Sequence, residues 1–225
     1  QFELSNKPKQ FIGWLVWEGT TIPKYWLEYI DNNIYTKNII VPSKHTLQAI
    51  LNTTKSTKPA QISIISHGVN TKLFKPSNSL KTQNSPFIFV ANKGWAQGIN
   101  DRGGIQWLLK AFCEEFKQDD NVELHLKINS AYNSPIWQLP NELAKLGLTP
   151  ELTKKIKFII NNIDYKYLPE LYQHGDCFVS PTMGDAFNLP CLEAMACGLP
   201  VITTNFGGQT DYVNNNNGWL IDYNL

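Results

Sequence analysis

The chain has 225 residues, 42% hydrophobic and 17% charged, which is enough apolar material for one large or two small cores and too much for a disordered segment. Its formal charge of +1 predicts no steering toward nucleic acid or an anionic membrane surface. No apolar run approaches the roughly 20 residues needed to cross a bilayer, so no integral membrane segment is expected.

The N-terminus has neither an initiator Met nor a signal-peptide pattern, and the chain is expected to be an excerpt of something longer. From Phe11 to Ser66 apolar runs alternate with helical-period stretches: Phe11–Trp17, Tyr25–Ile30, Ile39–Val41, Lys44–Leu51 and Ile62–Ile65. Strand, helix, strand, helix, strand is the simplest reading. Pro23 suits a helix start, and Ser43, after Pro42, is the expected N-cap of the second helix.

Between Lys75 and Pro86 the sequence is rich in Ser, Asn, Lys, Thr and Pro without periodicity, which is the composition of a surface linker. The domain boundary is placed there, giving residues 1–80 and 81–225. Beyond it, strands are predicted at Phe87–Ala91, Val122–Ile128, Ile156–Ile160, Cys177–Ser180, Val201–Thr204 and Trp219–Ile221. Helices are predicted at Ile105–Phe116, Pro140–Leu146, Leu168–Gln173 and Leu189–Cys197. Strands alternating with helices imply α/β class with a Rossmann-like, doubly wound parallel sheet, whose ligands bind beyond the strand C-termini. The Asn214–Asn217 run before Gly218 reads as a turn. Cys113, Cys177, Cys191 and Cys197 lie in apolar runs without metal-ligand spacing, so they are read as reduced core thiols in a cytoplasmic setting, with peripheral membrane attachment left open.

The segment Ser180–Gly208 carries the chemistry. It places Asp185 on a loop, a helix start at Leu189–Pro190, and Glu193 one turn inside an apolar helix. Proline in the first turn sacrifices no intrahelical bond, and the unpaired N–H groups there, with the positive end of the helix dipole, cradle an anion. A carboxylate at Glu193 can accept hydrogen bonds from a sugar diol. For Asp185 two readings stay open, a hydroxyl acceptor for a sugar and a turn-stabilising Asx residue.

These residues resemble the donor-binding signature of the retaining, GT-B-fold glycosyltransferases of group 1, or family 4, in which an acidic residue is followed eight positions later by Glu and then by Pro-Val-Ile and Gly-Gly. The resemblance implies that Glu193 binds the ribose hydroxyls of a nucleotide sugar and that Asp185 faces the donor sugar. It also implies that the N–H groups of Phe187, Asn188 and Leu189 meet the sugar and the diphosphate. Where most members have Glu-Gly-Phe-Gly this chain has Asp185-Ala-Phe-Asn188, a carboxylate one methylene shorter on a stiffer loop. Asn188 tolerates positive φ better than most residues.

Phe89–Lys93 followed by Asp101-Arg-Gly-Gly104 resembles the strand-end basic residue and later basic-Gly pair of the same family. Lys93 and Arg102 are thereby implied as a cationic clamp that offsets the charge of the departing diphosphate. Gly94–Gly98 is an insertion whose role the sequence does not give. Ile64–Pro76 is similar to the segment that ends the family's acceptor domain, so residues 1–80 are read as a truncated Rossmann-like remnant of that domain. His67 in it is taken as structural. Asn161 and Asn162 end a strand where the family reads the base. Tyr165, Tyr167 and Tyr172 are expected to pack a helix, and Lys127 is kept as a marginal phosphate contact. His125 and His174 show no partner spacing.

The resemblance implies transfer of a hexosyl group from a nucleoside-diphosphate sugar, UDP- or GDP-linked, to an acceptor hydroxyl with retention at the anomeric carbon. No metal or other cofactor is implied. The acceptor, a saccharide, lipid-linked saccharide or protein, is left unspecified. The shortness of the first half predicts that the chain binds nucleotide and transfers sugar poorly. Two other classes stay open, a non-catalytic nucleotide-sugar-binding module and a GT-B epimerase.

Overall fold

The structure, a computed structural model, describes residues 11–27, 30, 36–54, 61–77, 82–95, 98–129 and 139–224. They form two compact units. The first comprises Gln1–Gly68 with Gly184–Phe187 and Gly207–Asp211; the second comprises Val69–Met183, Asn188–Phe206 and Tyr212–Leu225.

In the first unit β1 (Phe11–Trp14), β2 (Thr36–Val41) and β3 (Gln61–Ile64) form a parallel sheet in that order. The predicted first strand stops three residues early. Leu15 still donates to the Ile40 carbonyl at 3.0 Å, but β2 itself ends at Val41 before Pro42, which has no N–H to continue a ladder. Helix α1 (Lys44–Leu51) follows with Ser43 as N-cap, its side chain accepting from the Thr46 N–H, as the sequence predicts. Ala49 and Ile50 of α1 bury against Ile22, Ile39 and Val41. The helical stretch predicted at Tyr25–Ile30 begins as a 3-10 turn over Lys24–Trp26; residues 28 and 29 lie outside the described residues.

The second unit holds six parallel strands: β4 (Phe87–Gly94), β5 (Val122–Asn129), β6 (Ile156–Ile159), β7 (Cys177–Ser180), β8 (Val201–Thr204) and β9 (Trp219–Ile221), in the order β6-β5-β4-β7-β8-β9. The doubly wound sheet read from the sequence is therefore present. Helices α2 (Ile105–Glu115) and α3 (Leu139–Lys145) pack one side, where Leu109 and Phe112 bury against Leu124, Leu126 and Ile128. Helices α4 (Leu168–Gln173) and α5 (Leu189–Ala196) contribute Tyr172, Cys191 and Ala194 to a second core around Val90 and Phe178. Burying a large apolar side chain contributes about 1.5–3 kcal/mol, so these two layers fix where the strand ends lie.

The units divide between Gly68 and Val69, upstream of the linker-like Lys75–Pro86 stretch, whose residues 78–81 lie outside the described residues. The physical reason is that Val69, Leu73 and Phe74 already pack into the second core. Strand β4 runs three residues beyond its predicted end because Asn92, Lys93 and Gly94 find ladder partners in Lys127, Ile128 and Asn129. All four cysteines are buried, and none of them forms a disulfide. No described helix is long and apolar enough to cross a membrane.

Candidate functional site

Strand order reverses where β4 and β7 lie side by side, and in an open parallel sheet ligands bind beyond the carboxyl ends of the strands at that point. In the second unit β4 ends there with Asn92 and Lys93, and β7 ends with Ser180. The chain returns to this crest at Asn188, the N-cap of α5, with φ 63° and ψ 59°. Among the described residues it is the one non-glycine with positive φ, in the conformation that Asn tolerates.

The Lys93 ammonium donates to the Asn188 side-chain oxygen at 3.1 Å. Because lysine only donates, the atom facing it must be the amide oxygen, which directs the amide nitrogen to Ser180 Oγ at 3.0 Å. The Tyr212 hydroxyl donates to the Asn188 carbonyl at 2.8 Å. The Cys191 N–H reaches the same carbonyl at 3.0 Å, which closes the first turn of α5. Leu189 and Pro190 open that helix, and proline there presents no N–H to be satisfied.

Glu193 lies on the buried side of α5, 7% exposed, which excludes a surface role. One carboxylate oxygen accepts from the Tyr172 hydroxyl at 2.8 Å, and that hydroxyl in turn accepts from the Asn92 amide at 3.0 Å. Burial pushes the Glu193 carboxyl up, and the Tyr172 hydrogen bond pulls it partway back. Burial, with Glu193 as neighbour, holds the Tyr172 phenol well above its ordinary range. The sequence reading missed Tyr172 and Asn92 as partners of this acid. Twenty-one residues separate Tyr172 from Glu193, and only the packing of α4 against α5 joins them.

Arg102 is exposed, and its backbone is tightly held. Its carbonyl accepts from the Met183 N–H at 2.7 Å and from the Thr182 hydroxyl at 3.3 Å. Gly104, at φ +76°, approaches Pro181 so closely that a Cβ there would lie 1.9 Å from the Pro181 carbonyl oxygen. The Arg-Gly-Gly run is thus docked onto the segment that follows β7. The Lys93 side chain and the Arg102 main chain both attach to the stretch from β7 to α5. Within the insertion Trp95 is buried, its indole N–H donating to the Gly98 carbonyl at 2.7 Å; it packs under α2 and serves the core. Residues 96 and 97 lie outside the described residues.

The loop Gly184–Phe187 belongs to the first unit. Asp185 Oδ1 accepts from the Phe187 N–H at 3.2 Å, an Asx turn, and the Asp185 carbonyl accepts from the Gly208 N–H at 2.8 Å. The Ala186 carbonyl accepts from Ser43 Oγ at 2.7 Å. A Cβ on Gly208 would fall 1.8 Å from that same carbonyl oxygen, so the Gly-Gly turn is required by close backbone approach. Phe187 is buried edge-on to His67, centroids 5.1 Å apart.

Asn161 and Asn162 are exposed on the segment after β6. Tyr172 is fully buried as expected, but Tyr165 and Tyr167 are 57% and 50% exposed and so do not form the helix packing expected of them. The Tyr165 ring rests on Phe74 at 5.4 Å. Lys127 is buried and donates to the Ile128 carbonyl at 2.8 Å; burial lowers its pKa. His125 does have a partner, Glu123 at 2.8 Å, two residues away on one face of β5, a pairing the strand period should have disclosed. No group of three or more His, Cys, Asp or Glu side chains able to hold a metal occurs among the described residues.

A doubly wound parallel sheet with its polar residues gathered at the switch point defines a Rossmann-like α/β protein. The model of the family "Glycosyl transferases group 1" matches residues 89–224, and the chain belongs to that family. D-inositol 3-phosphate glycosyltransferase of Paenarthrobacter aurescens is 27% identical over 72% of this chain and 40% of its own length. Sucrose synthase of Nitrosomonas europaea is 35% identical over 33% of this chain and 10% of its own. The chain therefore spans well under half of these curated relatives. Among solved structures, a glycosyltransferase from Rickettsia africae superposes with TM-score 0.73 at 22% identity over 96% of this chain and 57% of that one. The Anabaena HepE protein, in complex with UDP and glucose, superposes with TM-score 0.68 at 16% identity over 95% and 58%. At such identities the likeness is one of fold, that of the GT-B glycosyltransferases.

Proposed function

We propose that the chain supplies the donor half of a retaining glycosyltransferase, which moves a hexosyl group from a nucleoside-diphosphate sugar to an acceptor hydroxyl. The observation that carries this reading is the Lys93 ammonium seated on the N-cap of α5 at the sheet's switch point, with Glu193 one turn further along the same helix. The HepE complex with UDP and glucose favours a uridine diphosphate donor, and GDP remains the second base to test.

In this reading the diphosphate meets the first turn of α5, Lys93 and Arg102, and the ribose hydroxyls replace solvent at Glu193. The base lies against the segment of Asn161 and Asn162. The N–H groups of Asn188 and Leu189 face the phosphates. The Phe187 N–H, which donates to Asp185, has to exchange that bond to join them, and Asp185 is directed to the sugar. The bond from the anomeric carbon to the β-phosphate oxygen breaks, and a bond to the acceptor oxygen forms on the same face. The acceptor proton passes to the leaving diphosphate, and the two cations and the helix N-terminus stabilise the charge that develops there. No step calls for a metal. Residues 1–68 belong to the acceptor-binding half and most of residues 69–225 to the donor half of a cytoplasmic enzyme. Because the chain spans only part of its relatives, it binds nucleotide and turns over poorly by itself.

Calorimetric titration with UDP-, GDP- and ADP-sugars tests this. Wild type binds one class, and Glu193→Ala and Arg102→Ala weaken it by about tenfold or more, which is ~1.4 kcal/mol. Absence of binding to every nucleotide, or both variants binding like wild type, refutes the donor site.

A further inference from the structure

We infer that Asn188 is a positioning residue, whose amide oxygen fixes the Lys93 ammonium at the start of α5 where the second phosphate of a nucleoside diphosphate lies. The inference rests on the donor-site reading above and assigns a role to a side chain at a position where most members of the family have none.

Four observations lead to it. Asn188 has left-handed backbone angles, a conformation that Asn adopts more readily than other non-glycine residues. Glycine adopts it without strain, so the backbone alone does not call for a side chain, and the contacts of this one are what set it apart. It is 1% exposed, and both ends of its amide are engaged, the oxygen by Lys93 at 3.1 Å and the nitrogen with Ser180 Oγ at 3.0 Å. Ser180 is itself fixed, its carbonyl accepting from Thr203 Oγ1 at 2.8 Å, so the amide plane is referenced to β7 and β8. Its backbone carbonyl is held by Tyr212 as well. The residue that meets Lys93 is therefore anchored both through its amide nitrogen and through its main-chain carbonyl.

A lysine side chain is rich in rotamers, and an anion that captures its ammonium from solution must overcome part of that freedom. Holding that ammonium on a rigid amide oxygen removes part of this penalty beforehand. A neutral oxygen also adds no negative charge to the crest, whereas an aspartate in the same place would hold the lysine and weaken the field felt by a phosphate. Asn188 thus orients without neutralising.

Asn188→Gly keeps the backbone conformation and removes only the amide. Titrated with UDP, UMP, GDP and GMP, this variant should weaken the diphosphate of the accepted base by about tenfold, ~1.4 kcal/mol, and the matching monophosphate by less than about twofold, ~0.4 kcal/mol. Asn188→Asp should also weaken the diphosphate preferentially. Adding Asn188→Gly to Lys93→Ala should bring no further loss. Equal weakening of diphosphate and monophosphate, or additive losses in the double variant, overturns the inference. Should wild type bind neither UDP nor GDP, the donor-site reading itself has failed, and a ligand-independent readout separates the two. With 13C-labelled lysine, the Lys93 Cε resonance should shift and sharpen in Asn188→Gly, and an unchanged resonance overturns the positioning role.

Discussion

The two acids of the signature segment, eight residues apart, have opposite structural circumstances. Asp185 has a local backbone duty, accepting from the Phe187 N–H two residues on, in a loop fixed by Ser43 and the Gly207–Gly208 turn. Glu193 has no backbone duty. It is buried on an apolar helix with one hydrogen-bond partner, Tyr172, among the described residues, and burial raises its pKa. A carboxylate that stabilises a turn is accounted for by the fold alone. One that is buried at a cost in desolvation calls for another explanation, and the diol of the proposed donor would provide it.

The contrast can be broken most forcefully at the Asp185 loop. Gly208→Ala drives a Cβ into the Ala186 carbonyl and should cost on the order of 3 kcal/mol, read by denaturant unfolding. A loss below about 1 kcal/mol would show that the loop yields and that its Asx turn is not fixed. Next comes Tyr172→Phe, which leaves Asn92 without its acceptor and Glu193 without its donor in a buried place. A destabilisation of about 1–3 kcal/mol is expected, and a neutral result would remove the partner from the account of Glu193.

The pH dependence sharpens the same point. Because burial raises the folded-state value of Glu193 above its ordinary 4.5, the folded chain binds that proton more tightly than the unfolded one. The corresponding stabilisation is complete below pH 4.5 and is lost as pH rises through the raised value. Thermal melts of Glu193→Gln, compared with wild type across that window, should lack this fall and give a Tm at pH 7 no lower than wild type. A steeper fall in the variant would contradict it. The smallest effect belongs to Asp185→Asn, where the amide oxygen can still accept from Phe187. Its stability should change by less than about 0.5 kcal/mol, measured by the same denaturant unfolding.

Much of this was legible in the sequence where local rules decide the outcome. The Ser43 cap, the bounds of α1, α4, β7, β8 and β9, and the tolerance of Asn188 for positive φ all follow from residue type and neighbours. The parallel order of the second sheet follows from alternating strands and helices. What escaped were couplings across long separations. Tyr172 meets Glu193 through packing of two helices, Lys93 meets Asn188 across 95 residues, and β4 is extended by partners on β5 that its own sequence cannot announce. The division at Gly68 lies upstream of the linker for the same reason, since Val69, Leu73 and Phe74 read as the end of the first domain until the core they join is assembled. The exposed Tyr165 and Tyr167 failed in the other direction, because aromatic type favours burial without enforcing it.

The central claim is that Glu193, and not Asp185, reads the nucleotide. It is tested most directly by calorimetric titration of UDP, or of GDP if that is the diphosphate wild type takes, into Glu193→Gln and Asp185→Asn. The account predicts a loss of at least about tenfold, ~1.4 kcal/mol, for Glu193→Gln and less than about twofold, ~0.4 kcal/mol, for Asp185→Asn. Equal losses, or the larger loss at Asp185, would contradict it.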